Sequence, residues 1–124
     1  MATAKNTNEL LSSVADSADV GTDITHLGLW DAQTGGNFII GRAVTGDPDA
    51  IAVGEQFRIL AETFVITLAS DAHSSETMAT RGLNGIISGT TYISFHTGDP
   101  GKTGANEIAV ARFARVAISD WTVA

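Results

Sequence analysis

A chain of 124 residues, 44% hydrophobic and 17% charged, has material for one compact domain spanning residues 1–124 and no room for a second. Fourteen acidic residues against seven basic ones, a formal net charge of −7, argue against a surface that neutralises phosphates, so neither nucleic acid nor a membrane is an expected partner. The chain has no cysteine, which excludes a disulfide framework and a thiolate metal site, and no apolar run suits a leader or a membrane span, so the expectation is a soluble protein made in the cytoplasm.

Thirteen glycines set among β-branched and aromatic residues predict many short strands joined by tight turns. The N-terminal segment, residues 1–18, reads as an arm or a short strand. Its Leu10, Leu11 and Val14 fit one helical face, yet among Ser and Asp they bury too little to offset the entropy of ordering the segment. Docked on a neighbouring subunit, each leucine would contribute on the order of 1.5–3 kcal/mol of transfer free energy, so Leu10, Leu11 and Val14 are candidate interaction residues. On this reading a chain lacking residues 1–15 stays a folded monomer and associates less well.

Residues 24–31, ITHLGLWD, mix apolar and polar side chains on both alternating sets and read as a strand covered on both faces. Gln33-Thr34-Gly35-Gly36 is then a turn, and residues 37–44 are the returning strand. Thr45-Gly46-Asp47-Pro48 repeats Thr97-Gly98-Asp99-Pro100, which is shared turn chemistry rather than duplication. Residues 51–53, 56–60 and 63–68 read as two or three more strands, the last with Phe64, Ile66 and Leu68 on one face. A polar linker, residues 69–76, leads into a helix that starts at Ser74 or Ser75, carries Met78, Leu83, Ile86 and Ile87 at helical spacing, and stops at Gly89. Strands over residues 90–96 and 107–118 follow, with Trp121 near the end. About seven strands and one short helix imply a mainly β chain, an antiparallel β-sandwich or a flattened barrel capped by the helix.

Between those last strands stands Pro100-Gly101-Lys102-Thr103, whose Gly-Lys-Thr matches the end of a phosphate-binding loop. The context excludes it. The pattern's first glycine is replaced by His96, Pro100 has no N–H to give to a phosphate, and a β-rich run follows where a helix must begin. The segment reads as a rigid hairpin or Ω-type loop. Nucleotide binding is not expected, nor any effect of Lys102→Ala on it.

Catalytic and metal readings fare no better. His26, His73 and His96 lack ligand spacing, and imidazoles in strands such as those of His26 and His96 more often satisfy backbone groups at a strand end. There is no G-x-S-x-G elbow, and Asp16, Asp19 and Asp23 lack the order of a calcium loop. Arg112 and Arg115 flank Phe113 in a way an RNA-stacking face would, but their stems can equally pack along a sheet. The expectation is a protein with no catalytic residues, no cofactor and no metal.

Two blocks carry a resemblance. Tyr92-Ile93-Ser94-Phe95-His96-Thr97-Gly98-Asp99-Pro100-Gly101, with Thr103-Gly104-Ala105-Asn106-Glu107 and Ala111-Arg112-Phe113-Ala114-Arg115, resembles a group of small structural proteins of tailed bacteriophages, of the tail and tail-fibre kind. Thr25-His26-Leu27-Gly28-Leu29-Trp30-Asp31-Ala32 with Thr34-Gly35-Gly36-Asn37 is similar to that group's second block. The blocks stand in the opposite order to the group's, as in a circular permutant, which a sandwich with adjacent termini tolerates; residues 69–76 would then be the new joint.

The resemblance implies a non-enzymatic virion component, present in many copies as a capsid decoration protein or a minor tail protein, self-associating and bound to capsid or tail proteins. The loop then serves as a shaped contact surface, with Asp99, Pro100, Lys102 and Asn106 as candidate interaction residues and with Asn106 and Glu107 bonding it to the return strand. The alternative from another class is a carbohydrate- or receptor-binding module of the tail tip, acting through exposed Trp30, Trp121 or Tyr92.

Overall fold

The computed structural model describes residues 2–12, 24–44, 58–68, 73, 75–108 and 114–123. Among them are nine strands and one helix: β1 (Ala2–Asn6), β2 (Leu10–Leu11), β3 (His26–Trp30), β4 (Phe38–Ala43), β5 (Arg58–Ile59), β6 (Val65–Leu68), α1 (Glu76–Ile86), β7 (Thr91–His96), β8 (Val116–Ile118) and β9 (Trp121–Val123). All pairings are antiparallel. They build a sheet in the order β6-β1-β9, a two-stranded pair β2-β5 and a sheet in the order β4-β3-β7-β8. The sheets do not close into a barrel among the described residues, so of the two expected architectures the sandwich is the one observed.

A single apolar cluster draws on both larger sheets and the helix: Ala2, Ala4 and Ile66 from one sheet, Leu27, Leu29, Ile93 and Phe95 from the other, Ala79 and Leu83 from α1. The small side chains of β1 are the reason α1 can lie where it does. Ala2 and Ala4 are fully buried, and Gly82 of the helix passes close to the Leu68 side chain. Ser75 is the N-cap, its hydroxyl accepting from Met78 N–H at 3.2 Å, and Gly89 follows the helix with a φ of +70°. The helical face is narrower than its spacing suggests, because Met78 is 59% exposed while Ala79, not counted as apolar facing, is buried.

Of the two readings of residues 1–18, an arm or a short strand, their first part takes the strand. Ala2–Asn6 pairs along both edges, with β6 and with β9, and is the central strand of its sheet. Asn6 completes the fixture: its side-chain amide donates to Asn8 O and Leu60 O, and its Oδ1 accepts from Phe64 N–H at 2.8 Å. Short alanine and polar side chains hid this strand, since β1 buries little apolar area of its own and is held by pairing and by what lies above it. Residues 13–18 and the second Gly-Asp-Pro loop lie outside the described residues, as does most of the polar linker.

In β4 a bulge accommodates one extra residue. Leu29 pairs with Ile40 but Trp30 pairs with Phe38, which leaves Ile39 between them. The consequence is positional: Leu29 and Ile40 face the core, while Trp30 and Phe38 are brought together on the opposite face.

Candidate interaction surface

The two faces of the β4-β3-β7-β8 sheet are both covered. Leu27, Leu29, Ile93 and Phe95 point to the core, whereas the alternate residues Gly28, Trp30, Ser94 and His96 point the other way and are buried too. What covers this outer face is the loop of residues 97–106, which folds back over it.

The fit depends on missing side chains. Gly28 and Gly41 are directly opposite in the β3–β4 register and leave a notch in the sheet. A Cβ at Gly41 would run into the Pro100 ring, and one at Gly28 would stand 2.5 Å from Ser94 Oγ and 2.7 Å from His96 Nε2. Gly104 comes down on the other side with a φ of +78°, where a Cβ would meet the Trp30 ring, its Cη2 at 2.7 Å. Trp30 and Phe38 are edge to face at 5.2 Å, and Phe38 and His96 at 6.4 Å.

Under the loop runs a directional chain of hydrogen bonds. His96 Nδ1 is 2.7 Å from Ala105 O, and a carbonyl only accepts, so Nδ1 carries the proton. Trp30 Nε1–H donates to Ser94 Oγ at 2.8 Å, which leaves the Ser94 hydroxyl to donate to His96 Nε2 at 2.6 Å. Every member is satisfied when the imidazole is neutral. Burial lowers the His96 pKa, opposed more weakly by the Ala105 bond and by Glu107. Ser94 and His96 have the spacing of a nucleophile and its base, but both are fully inaccessible, so no substrate atom reaches the hydroxyl in this arrangement.

The loop is equally closed on itself. Gly101 N–H donates to Asp99 Oδ1 at 2.9 Å, Gly104 N–H and Ala105 N–H both donate to Pro100 O at 3.0 Å, and Asn106 Nδ2 donates to Asp99 O at 3.0 Å. Three of the loop's amides, those of Gly101, Gly104 and Ala105, are therefore spent within the turn, and turn structure, not a helix, follows Gly101-Lys102-Thr103. Asn106 adopts φ +65°, a conformation that asparagine tolerates better than most residues.

Arg115 ties this loop to the turn after β3. Its guanidinium is bidentate to Glu107, with Nε to Oε2 at 2.9 Å and Nη2 to Oε1 at 3.0 Å, and Nη1 donates to Ala32 O and Gly35 O. The same group lies 3.8 Å from the Trp30 ring centroid. In the turn itself Asp31 accepts from both the backbone and the side chain of Asn37, which lowers its pKa. Two preorganised loops thus stand side by side with Lys102, Thr103, Ala105, Asn106 and residues 33–37 exposed.

Of the candidate residues, Asp99, Pro100, Lys102 and Asn106 share this loop. Pro100 is buried in the notch, Asp99 and Asn106 brace the turn, and Lys102 is exposed. Glu107 does bond toward the return segment, through Arg115. Leu10 and Leu11 sit apart on β2, Leu10 packed against the core and Leu11 41% exposed; Val14 lies outside the described residues. Trp30 is 9% exposed, a correction to the alternative in which an exposed Trp30, Trp121 or Tyr92 binds a carbohydrate or receptor, since Arg115 and Gly104 cover it. Trp30, Phe38, Ser94, His96 and Arg115 were not picked out as one site. Their signal was the polar and glycine half of the alternation in ITHLGLWD, which requires a second covering layer.

The sequence comparison supplies the class: a bacteriophage structural protein of the fibre kind. Residues 1–67, more than half of the chain, match the model of the podophage GP4 fiber I protein gp80 family, and the chain belongs to that family. The match spans β1 to β5 and most of β6, including the block from Thr25 to Phe38, and ends before the loop of residues 97–106. No curated protein and no solved structure matches the chain.

Proposed function

We propose that this chain is a non-enzymatic tail component that assembles with copies of itself and with other virion proteins through the surface formed by the turn 31–37 and the loop 97–106. The family match is the observation that carries the reading, and it favours tail over capsid decoration because the family is one of fibre proteins. The geometry supports a contact role. The backbone of both loops is held by internal bonds before any partner arrives, so little ordering entropy remains to oppose docking.

Imaging of virions carrying a label on this protein tests the location: label on the tail is expected, and label over the head overturns the tail assignment. Lys102→Glu tests the surface. It is expected to weaken self-association or virion incorporation with no change in melting temperature, and unchanged incorporation would remove Lys102 from the interface.

A further inference from the structure

We propose that the chain pairs with a second copy of itself across the outer face of the β2–β5 ribbon, around a two-fold axis lying along the line from Leu11 to Leu60. This contact is separate from the surface of the turn 31–37 and the loop 97–106 and does not depend on it.

The face follows from strand alternation. Leu10 stands opposite Ile59, and Leu11 opposite Arg58. Ile59 is buried and Leu10 packs against the core, so their neighbours Glu9, Leu11, Arg58 and Leu60 turn the other way, and all four are exposed. Continued by one residue, the register sets Glu9 across from Leu60. The outer face is therefore a checkerboard, with leucines on one diagonal and opposite charges on the other, where Glu9 Oε1 and Arg58 Nε are 3.5 Å apart. Among the described residues the exposed large apolar side chains are Leu11, Leu60, Met78 and Val123, and two of these share this small patch at 41% and 54% exposure.

Such a checkerboard complements itself in one orientation. Half a turn about the leucine diagonal lays each leucine on its counterpart in the second copy and sets each Glu9 across from the second copy's Arg58. Half a turn about the other diagonal stacks like charges, and an axis along or across the strands sets leucines on charges. A patch carrying both signs beside two leucines thus fits another copy of itself. In solvent the Glu9–Arg58 pair contributes little, because the Arg58 side chain is 66% exposed. Between two copies the same charges alternate in a ring of four, and the leucines leave water. A cleft of about 160 Å³ beside Leu60, with Leu27, Ile59 and Phe64 in its walls, gives the incoming leucine room.

The chain has no cysteine, so Ala61→Cys, at an exposed position next to Leu60, supplies a single attachment point for a short bismaleimide. This variant is expected to give covalent dimers in solution. Adding Glu9→Arg or Arg58→Glu should lower the yield at least about tenfold, since each homodimer then gathers four like charges. An equimolar mixture of the two reversed chains should restore cross-linking as a mixed dimer identified by mass, although within each chain the charges at positions 9 and 58 still repel. Lys102→Glu, on the distant loop, should leave the yield unchanged. No dimer from the Ala61→Cys chain overturns the proposal without recourse to the reversed variants, and points to a different protein as the occupant. Reversed chains that cross-link like the parent, a mixture that does not recover, or a yield abolished by Lys102→Glu would each overturn it as well.

Discussion

The inner and outer faces of β3 and β7 are buried alike but by different physics. Inside, Leu27, Leu29, Ile93 and Phe95 meet other apolar side chains, an attraction without direction that tolerates exchange of one hydrocarbon for another of similar volume. Outside, Gly28, Trp30, Ser94 and His96 meet a folded-back loop, and burial there depends on each donor finding one acceptor and on atoms being absent at Gly28 and Gly41. Area dominates the first face. Complementarity dominates the second, so small changes should be felt more sharply there than their size suggests.

The largest expected effect is on the inner face. Deleting residues 1–6 removes the central strand β1 and the wall on which α1 rests, and the expected outcome is loss of a cooperative unfolding transition by circular dichroism. This reverses the outcome expected if the N-terminus were a free arm. A folded, cooperative truncation would mean that the inner face is closed by something else. Within the core, Phe95→Ala should lower stability by about 3–5 kcal/mol in urea titration, the range for a fully buried aromatic.

On the outer face, Arg115→Met should cost about 3 kcal/mol, the low end for breaking a buried pair because the Glu107 side chain keeps 26% exposure. Arg115→Lys should recover little of it, since an ammonium cannot serve Glu107, Ala32 O and Gly35 O at once. A lysine variant as stable as the wild type would show that charge alone, without the fork, holds the two loops together.

Glycine substitutions sharpen the comparison further. Gly104→Ala and Gly35→Ala both place a Cβ on left-handed backbone, at φ +78° and +61°, yet only the first pushes it into Trp30 and Phe38. The conformational term, about 1–2 kcal/mol, is common to both. Overpacking adds about 1–3 kcal/mol at Gly104. Equal melting temperatures for the two variants would argue that the loop is not seated on the ring as described.

Titration gives the smallest effects. His96 has its pKa lowered below 6.5 in the folded chain, so the unfolded chain binds the proton more readily, and stability present above pH 6.5 declines as pH falls from there to the folded value. Asp31, also lowered from 3.8, contributes stability that is present above that value and is lost as pH falls through the folded one. Urea midpoints measured across the two windows separate them, and His96→Asn should remove the upper decline alone.

Much of the architecture was legible because strand alternation is a local property. The strands around Trp30 and Phe38, the turn at Gly35-Gly36, the cap at Ser75 and the strand ending at His96 each follow from neighbouring residues. The strand at Trp121–Val123 was not legible, being three residues long with an exposed valine, nor was Ala2–Asn6, whose alanines carry no periodic apolar signal.

What the amino-acid order determined by itself is thus the class of fold, mainly β with one helix, and the stiffness of the loop, since Pro100, the glycines and Asn106 restrict their own backbone wherever they stand. Tertiary structure alone decided which way that loop turns. Whether Asp99-Pro100-Gly101 projects into solvent or lies down on the sheet depends on Gly28 and Gly41 being opposite one another and on Arg115 reaching Glu107 and Gly35 O together, pairings between residues distant in the chain that no local pattern encodes.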